Sequence, residues 1–458
     1  MQARLGFRVV RWSLSVGLSA CLGAVISRGT QVESIAAANV LELMERVADR
    51  QLHQPVAFDI FSQREEEPRW EITRVGWDGT ILVRRPCLPR PLPTGLPDTW
   101  VRLMRLERDD VSFVELPEAA QAAWRQETGL TEANVTLIQM LDGATRGWEM
   151  GVLYHGLLAL AEVSGKPVYR EALRVIGEAN AWRLGERIHH ADDHVVGYLY
   201  LACHEIEPQV ERLAGVQSRF DWIMAHQPNQ PMTIEQGQER WTWCDALFMA
   251  PPVWARLSRV TGDERYVDFM DTEWWSVVDH LFSPEDNLFF RDATFFDRRE
   301  ANGAKVFWSR GNGWVLAGLA RVLDELPADY RTRSRYIALF RTMAERIIAL
   351  QPDDGLWRSS LLDPSRYPVP EVSGSAFFCY ALAWGVNRGL LDRAVYREPI
   401  MAAWAALERH VRSDGHLGYI QQPAAQPGSA GVTSTAAYGV GAFLLAGAEV
   451  HRLLSREP

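Results

Sequence analysis

Two stretches of this chain are versions of one another, and they restrict its fold more than any other feature. Leu160-Ala161-Glu162-Val163-Ser164-Gly165-Lys166-Pro167-Val168-Tyr169 and Leu257-Ser258-Arg259-Val260-Thr261-Gly262-Asp263-Glu264-Arg265-Tyr266 follow one plan. Each brings an apolar helical run to a glycine, then opens an amphipathic helix with a tyrosine in its first turn. Glycine just past the last periodic residue is the ordinary helix stop, because no Cβ opposes a left-handed backbone there. The repeated unit is a helical hairpin. With it as template, six apolar helices rich in Gly, Ala and Leu start near Trp148, Asp193, Trp243, Trp308, Ser373 and Thr435. More polar, amphipathic helices follow five of them, near 167–182, 208–226, 263–281, 330–350 and 392–411. A helix apolar on most sides is buried, and one with a single apolar stripe covers it. The sixth buried helix has no follower, and the amphipathic segment near 33–52 supplies its partner. The expectation is an all-α (α/α)6 barrel of six inner and six outer helices, closed by the two chain ends, with an open α-solenoid as the alternative.

Two regions stand outside this pattern. The first 29 residues read as a signal peptide or lipoprotein signal. Arg4, Arg8 and Arg11 precede an apolar stretch from Trp12 to Ala20, and Leu18-Ser19-Ala20-Cys21 resembles a bacterial lipobox with Cys21 as the lipidated residue. Export to a bacterial envelope, periplasmic or lipid-anchored, is expected, with any membrane attachment through this segment only. The rest, 30–458, reads as one catalytic domain with an insertion at about 60–140. Within the insertion, Trp70–Val75 and Thr80–Val83 form a β-hairpin through Asp78-Gly79, before a proline-rich stretch from Pro86 to Pro97. The five cysteines contain no CxxC pair, so neither a zinc site nor a disulfide framework is implied. A net charge of −10 argues against a nucleic-acid partner. The unusual component is tryptophan, 18 residues of 458, which suits a surface that stacks on sugar rings.

The polar and aromatic clusters sit at the beginnings of the inner helices, which in a ring of parallel helices line one mouth. His189-His190-Ala191-Asp192-Asp193-His194 invites a metal, but no His pair has the i, i+4 spacing of a helical metal motif, and no metal is assigned. One of its carboxylates suits a helix N-cap; the other remains to be explained. Asp245, in Trp241-Thr242-Trp243-Cys244-Asp245-Ala246, opens a wholly apolar helix, where desolvation would keep a carboxyl protonated near neutrality. An N-cap is the plainer alternative. Trp308-Ser309-Arg310-Gly311-Asn312-Gly313-Trp314 puts an Arg and an Asn between two indoles and two glycines. Arg291 adds a second cation upstream. Trp357, Glu371-Val372-Ser373-Gly374-Ser375 and His416 are rim candidates that suit structural roles better.

These segments together resemble the unsaturated glycuronyl hydrolases of glycoside hydrolase families 88 and 105, the rhamnogalacturonyl branch in particular. The resemblance rests on Trp243-Cys244-Asp245-Ala246-Leu247-Phe248-Met249, on the Trp-x-Arg-Gly-Asn-Gly-Trp run at 308–314 and on 371–375. It covers about 147–455, and 33–52 also looks like the family's first helix. It implies an (α/α)6 barrel, no cofactor, and removal of a terminal 4,5-unsaturated uronic acid from oligosaccharides left by polysaccharide lyases. In that chemistry an Asp protonates C4, water adds at C5, and the opened ring expels its neighbour. The resemblance makes Asp245 the donor and water activator, and Asp193 the second carboxylate, or Asp192 if the register shifts by one. It gives substrate contacts to Arg310, Trp243, Trp308, Trp314, Asn312 and His194. The chain departs from the family where Phe290-Arg291-Asp292 replaces a segment that often carries a His, and in the 60–140 insertion. An extra Arg291 suits a more anionic or differently linked substrate. A conventional glycosidase acting on saturated uronides and a non-catalytic sugar-binding protein are the competing functions; a sugar epimerase would want a His acid/base pair, for which His189 and His416 are poorly placed.

Overall fold

The computed structural model describes residues 35–53, 146–185, 187–226, 232 and 240–456, together with the strands Thr73–Val75 (β1), Ile81–Arg84 (β2) and Phe113–Glu115 (β3). The chain divides into Met1–Ile35 and Ala36–Pro458, and the second unit holds all the helices and strands described below. The expected signal, with Cys21, lies outside the described residues. The Asp78-Gly79 turn of the expected hairpin lies there too, but its two strands are described: β1 and β2 are antiparallel, with Thr73 opposite Val83 and Val75 opposite Ile81. A third strand absent from the sequence expectation joins it, with Leu82 opposite Glu115 and Arg84 opposite Phe113.

The described residues form thirteen α-helices. The inner set is Trp148–Ser164 (α2), Gly197–Ile206 (α4), Ala246–Met249 (α6) continued by Pro251–Thr261 (α7), Ser309–Glu325 (α9), Val372–Asn387 (α11) and Ala437–Ser455 (α13). The outer set is Ala37–His53 (α1), Pro167–Ala179 (α3), Val210–Ala225 (α5), Glu264–Leu281 (α8), Arg333–Ala349 (α10) and Arg393–Glu408 (α12). A short antiparallel pair, Phe282–Ser283 (β4) and Leu288–Phe289 (β5), follows α8. One expected inner helix is broken in two. Pro251 has no N–H to donate backward, so the helix that starts at Ala246 stops after one turn and restarts.

The packing closes on itself. Helix α2 packs on α4, α4 on α7, α6 and α7 on α9, α9 on α11, α11 on α13, and α13 returns to α2. Outside, α3 covers α2 and α4, α5 covers α4 and α7, α8 covers α7, α10 covers α9, and α12 covers α11 and α13. The remaining groove, over α13 and α2, is filled by α1, as the unpaired sixth helix requires.

The repeated tyrosine has a visible purpose. Tyr169 in α3 donates to Asp49 in α1 (2.9 Å), Tyr266 in α8 to Asp221 in α5 (2.7 Å), and Tyr336 in α10 to Asp271 in α8 (3.1 Å). Each ties the first turn of one outer helix to the outer helix before it. Gly165 and Gly262 end their helices in the left-handed region, at φ 67° and 72°. Asp263, Glu371 and Asp392 cap the starts of α8, α11 and α12 with their carboxylates.

The last inner helix meets the first in a close backbone contact. A Cβ on Gly156 in α2 would lie 2.5 Å from the Gly441 carbonyl oxygen, and a Cβ on Gly441 in α13 would lie 2.3 Å from the Val152 carbonyl oxygen. Backbone touches backbone there, so no side chain can yield. Gly441→Ala is expected to lower unfolding free energy by about 1–3 kcal/mol, read from urea or thermal unfolding; an unchanged midpoint would show that this seam does not hold the ring.

Candidate active site

The beginnings of the inner helices meet at one end of the ring. Trp148, opening α2, stacks on Tyr438 of α13 (centroids 4.8 Å apart) and meets Trp314 of α9 edge-on (6.1 Å). The guanidinium of Arg310, in the first turn of α9, lies 4.5 Å from the Trp308 ring and 4.9 Å from the Tyr438 ring.

Asp245 stands just before α6. Its side chain makes no capping bond to that helix, so the N-cap alternative does not hold and the carboxyl is left for other use. Only 8% of the residue is exposed. Burial raises its pKa above the ordinary carboxylate value, and the Arg291 and Arg310 guanidinium groups pull in the other direction. The Arg291 Nε lies 3.6 Å from Asp245 Oδ2, and the Cys244 thiol faces the same oxygen at 3.5 Å. The chain run that carries Arg291 is aligned with the start of α6: Trp243 bridges Asp292, and the Cys244 N–H donates to the Arg291 carbonyl (2.8 Å).

The second carboxylate is where expectation and structure part. Asp193 is fully engaged. Its Oδ2 accepts the Arg187 backbone N–H (2.6 Å) and its Oδ1 accepts the Arg187 Nη2–H (2.7 Å). The Gly185 backbone also presses on it, where any Cβ would come within 2.5 Å of the Asp193 Cγ. Asp193 pins the turn Ala191–Asp193. Its neighbour Asp192 is the group that senses Asp245. Burial pushes the Asp192 pKa up to about 7, with Asp245 and Asp193 adding to the rise and Arg187 and Arg291 opposing it. Sequence reasoning gives the second carboxylate to Asp193, or to Asp192 if the register shifts by one; Arg187 bonds Asp193 directly and lies 3.9 Å from Asp192 Oδ2, so Asp192 is the carboxyl less occupied by structure.

Other expected residues divide in the same way. His194 does not serve the mouth. It is 1% exposed, its Nε2 meets the Ile188 carbonyl (2.8 Å), its Nδ1 accepts from Trp254 Nε1 (3.4 Å), and burial lowers its pKa to about 3. It is a neutral pin between inner and outer helices. Asn312 is spent on backbone: it accepts from the Phe289 N–H (2.8 Å) and donates to the carbonyls of Phe289 and Trp308 (both 3.0 Å). Those bonds fix β5, and through it the run to Arg291. Trp243, Trp308 and Trp314 are 2%, 1% and 1% exposed, so they form walls. Arg310 donates to the carbonyls of Gln421 (2.6 Å) and Gln422 (3.0 Å), while its buried Nε–H has no hydrogen-bond partner. Glu371 is a cap whose oxygens accept from Ser373, Gly374 and Gln421, and Trp357 donates to the Ile347 carbonyl. Both are structural, as expected.

Sequence reasoning passed over Trp148, Tyr438 and Glu149 as site residues, and took His190 only as part of a cluster that invites a metal. His190 accepts the Asp192 N–H on Nδ1 (3.3 Å) and lies 4.8 Å from the Trp243 ring. Glu149, in the first turn of α2, has its pKa raised by burial and lowered by Arg310. Their positions at predicted helix starts were the available signal. Among the described residues, no three His, Cys, Asp or Glu side chains gather as metal ligands do. The arrangement is chemically specific: two carboxyl groups held toward their protonated forms, with two guanidinium groups and aromatic walls around them. Such a mouth can hold an anionic ring and give it a proton.

The sequence pattern of Glycosyl Hydrolase Family 88 matches residues 123–454. The chain is 40% identical over 322 residues to an unsaturated 3S-rhamnoglycuronyl hydrolase of Formosa agariphila, covering 68% of this chain and 85% of that protein. It is 35% identical over 317 residues to a protein of the same name from Alteromonas sp. (strain LOR), covering 66% and 77%. Among solved structures, a glycosyl hydrolase family 88 protein from Bacteroides vulgatus is 31% identical, with a TM-score of 0.62 over 68% of this chain and 94% of that one.

The two adjacent aspartates should separate in a melting experiment. Folding raises the Asp192 pKa to about 7, so the folded chain holds a proton that the unfolded chain releases near pH 4. Ionised Asp192 therefore opposes folding increasingly between roughly pH 4 and 7, and fully above it. Asp192→Asn should gain stability relative to the parent as pH rises from about 4 to 8. Asp193→Asn should lose about 1–2 kcal/mol at pH 8, because the Arg187 pair goes. The reverse pattern would return the second carboxylate to Asp193.

Proposed function

Because the chain belongs to Glycosyl Hydrolase Family 88, we propose that it removes a terminal 4,5-unsaturated uronic acid from oligosaccharides that polysaccharide lyases release. It is a glycoside hydrolase. The observation that carries the reaction is the Asp245 carboxyl: buried, uncapped, and biased toward its acid form at the mouth of the ring.

The unsaturated ring is a vinyl ether, and its nucleophilic carbon is C4. Asp245 gives its proton to C4 as the C4=C5 electrons form the new C–H bond. Positive charge then develops at C5 and O5. Water adds at C5 and returns a proton to the Asp245 carboxylate. The resulting hemiketal opens to a ketone, and the hemiacetal left at C1 releases the neighbouring sugar. An alkene carbon is slow to accept a proton from water, so a donor kept protonated near neutrality is what this step needs. Asp192, neutral at moderate pH, donates to a ring hydroxyl and keeps a second full negative charge away from Asp245. The Nε–H of Arg310, buried without a hydrogen-bond partner, suits the uronate carboxylate. Trp148 and Tyr438 supply the stacked aromatic pair beside it.

The relatives named unsaturated 3S-rhamnoglycuronyl hydrolases make rhamnoglycuronyl oligosaccharides the substrate class to test first. We read the two rings of helices as an (α/α)6 barrel, supported by the return of α13 onto α2. The basic and apolar N-terminal 29 residues support export to a bacterial envelope, with Cys21 as the residue that would carry a lipid.

Purified protein should abolish the ultraviolet absorbance of the C4=C5 bond in an unsaturated rhamnoglycuronyl disaccharide. Asp245→Asn should lower that rate by about 10²–10⁴ while still binding the sugar. Cleavage of a saturated uronide with no loss from the unsaturated one would make the chain a conventional glycosidase instead.

A further inference from the structure

Arg291 occupies a peculiar position. Its Nη1 donates to Asp292 Oδ2 (2.7 Å), and Asp292 is in turn fixed by the Thr294 N–H (2.9 Å) and hydroxyl (2.6 Å). Its own carbonyl accepts the Cys244 N–H, and two residues upstream Asn312 clamps both polar atoms of the Phe289 backbone. The guanidinium is thus anchored at one end and registered to the start of α6. Its Nε–H is buried and without a hydrogen-bond partner, 3.6 Å from Asp245 Oδ2. That gap is too long for a hydrogen bond and close enough for strong charge interaction.

We propose that Arg291, held by Asp292, is a positioning residue that receives the negative charge Asp245 acquires on giving up its proton. This role rests on Asp245 being the donor to C4. When the Asp245 O–H bond breaks and the proton joins C4, the electron pair stays on the carboxylate. The Arg291 Nε–H closes on Oδ2 and stabilises it. When water adds at C5, its proton goes to the carboxylate and the contact relaxes. An N–H that already had a partner would have to break one bond to make the other; the orphaned Nε–H does not. Asp292 offsets the guanidinium charge, so that Arg291 does not strip the proton from Asp245 before substrate arrives.

The charged and titratable groups around Asp245 are Cys244 beside it, Arg291 and Asp292 after β5, Arg310 from α9, and Asp192 from the turn before α4. Of these, Arg291 and Asp292 bear opposite charges, and their removal should act in opposite directions. The test is the pH dependence of kcat and kcat/KM on an unsaturated disaccharide. In Arg291→Met the alkaline limb, which reports loss of the donor proton, should move up by about one unit or more. Its kcat should fall at least about tenfold with KM within about twofold, since a group felt only as charge develops acts on the transition state. Asp292→Asn keeps the oxygen that holds Arg291 and removes the charge, so its alkaline limb should move down. Arg291→Lys should return the limb toward the parent position. If Arg291→Met fails to melt cooperatively, the opposed shifts of Asp292→Asn and Arg291→Lys carry the test. An alkaline limb unmoved in every variant, with the whole loss in KM, overturns the proposal and leaves Arg291 as a substrate contact only. Activity surviving in Asp245→Asn would instead defeat the donor assignment, a separate failure.

Discussion

Every feature of the mouth depends on α13 reaching α2. Without that closure the first turns of α2, α9 and α13 would have no common space, and Trp148, Arg310 and Tyr438 would not meet. Two glycines permit it, Gly156 and Gly441, by letting main chains touch where any Cβ would collide with a carbonyl. Helix α1 then covers the seam from outside, bound through Asp49 to Tyr169 and through Glu45 to Lys166.

Within the mouth, electrostatics and burial divide similar residues into different jobs. Asp193 and Asp192 are neighbours, yet Arg187 bonds the first at 2.7 Å and stands 3.9 Å from the second, whose pKa burial and Asp245 raise. Arg310 gives two of its N–H groups to main-chain carbonyls, and Arg291 gives one to Asp292. In both, the Nε–H is buried without a hydrogen-bond partner. The site is built from groups partly consumed by structure. Their fixed orientation is worth more to a proton transfer than free side chains would be, because nothing has to reorganise as charge moves.

The helical pairing was legible because it rests on periodicity and on glycine stops, both properties of the local chain. The tyrosines that looked like a mere signature in the repeats turn out to bind aspartates of the preceding outer helix. Asp245 and Arg310 were legible because a charge in an apolar, glycine-flanked run has few plain explanations. The distinction between Asp192 and Asp193 was not, since a one-residue register in a turn is set by where Arg187 folds back, and Arg187 carried no pattern. His194 was misread for the same reason: a histidine beside two aspartates suits a polar mouth, but its ring turns to Trp254 and Phe220 in the core. Asn312 looked like a ligand donor and is a clamp on β5. Trp148 and Tyr438 escaped notice because an aromatic at the start of an apolar helix looks the same whether it faces core or cavity.

The central claim is that Asp245 puts a proton on carbon. Running the reaction on an unsaturated rhamnoglycuronyl disaccharide in deuterium oxide, with early products read by nuclear magnetic resonance, tests it directly. One deuterium on a single face of C4 of the released uronic acid is the predicted result. Release of the neighbouring sugar with the double bond intact, and no deuterium at C4, would contradict it and place the chemistry at the anomeric carbon.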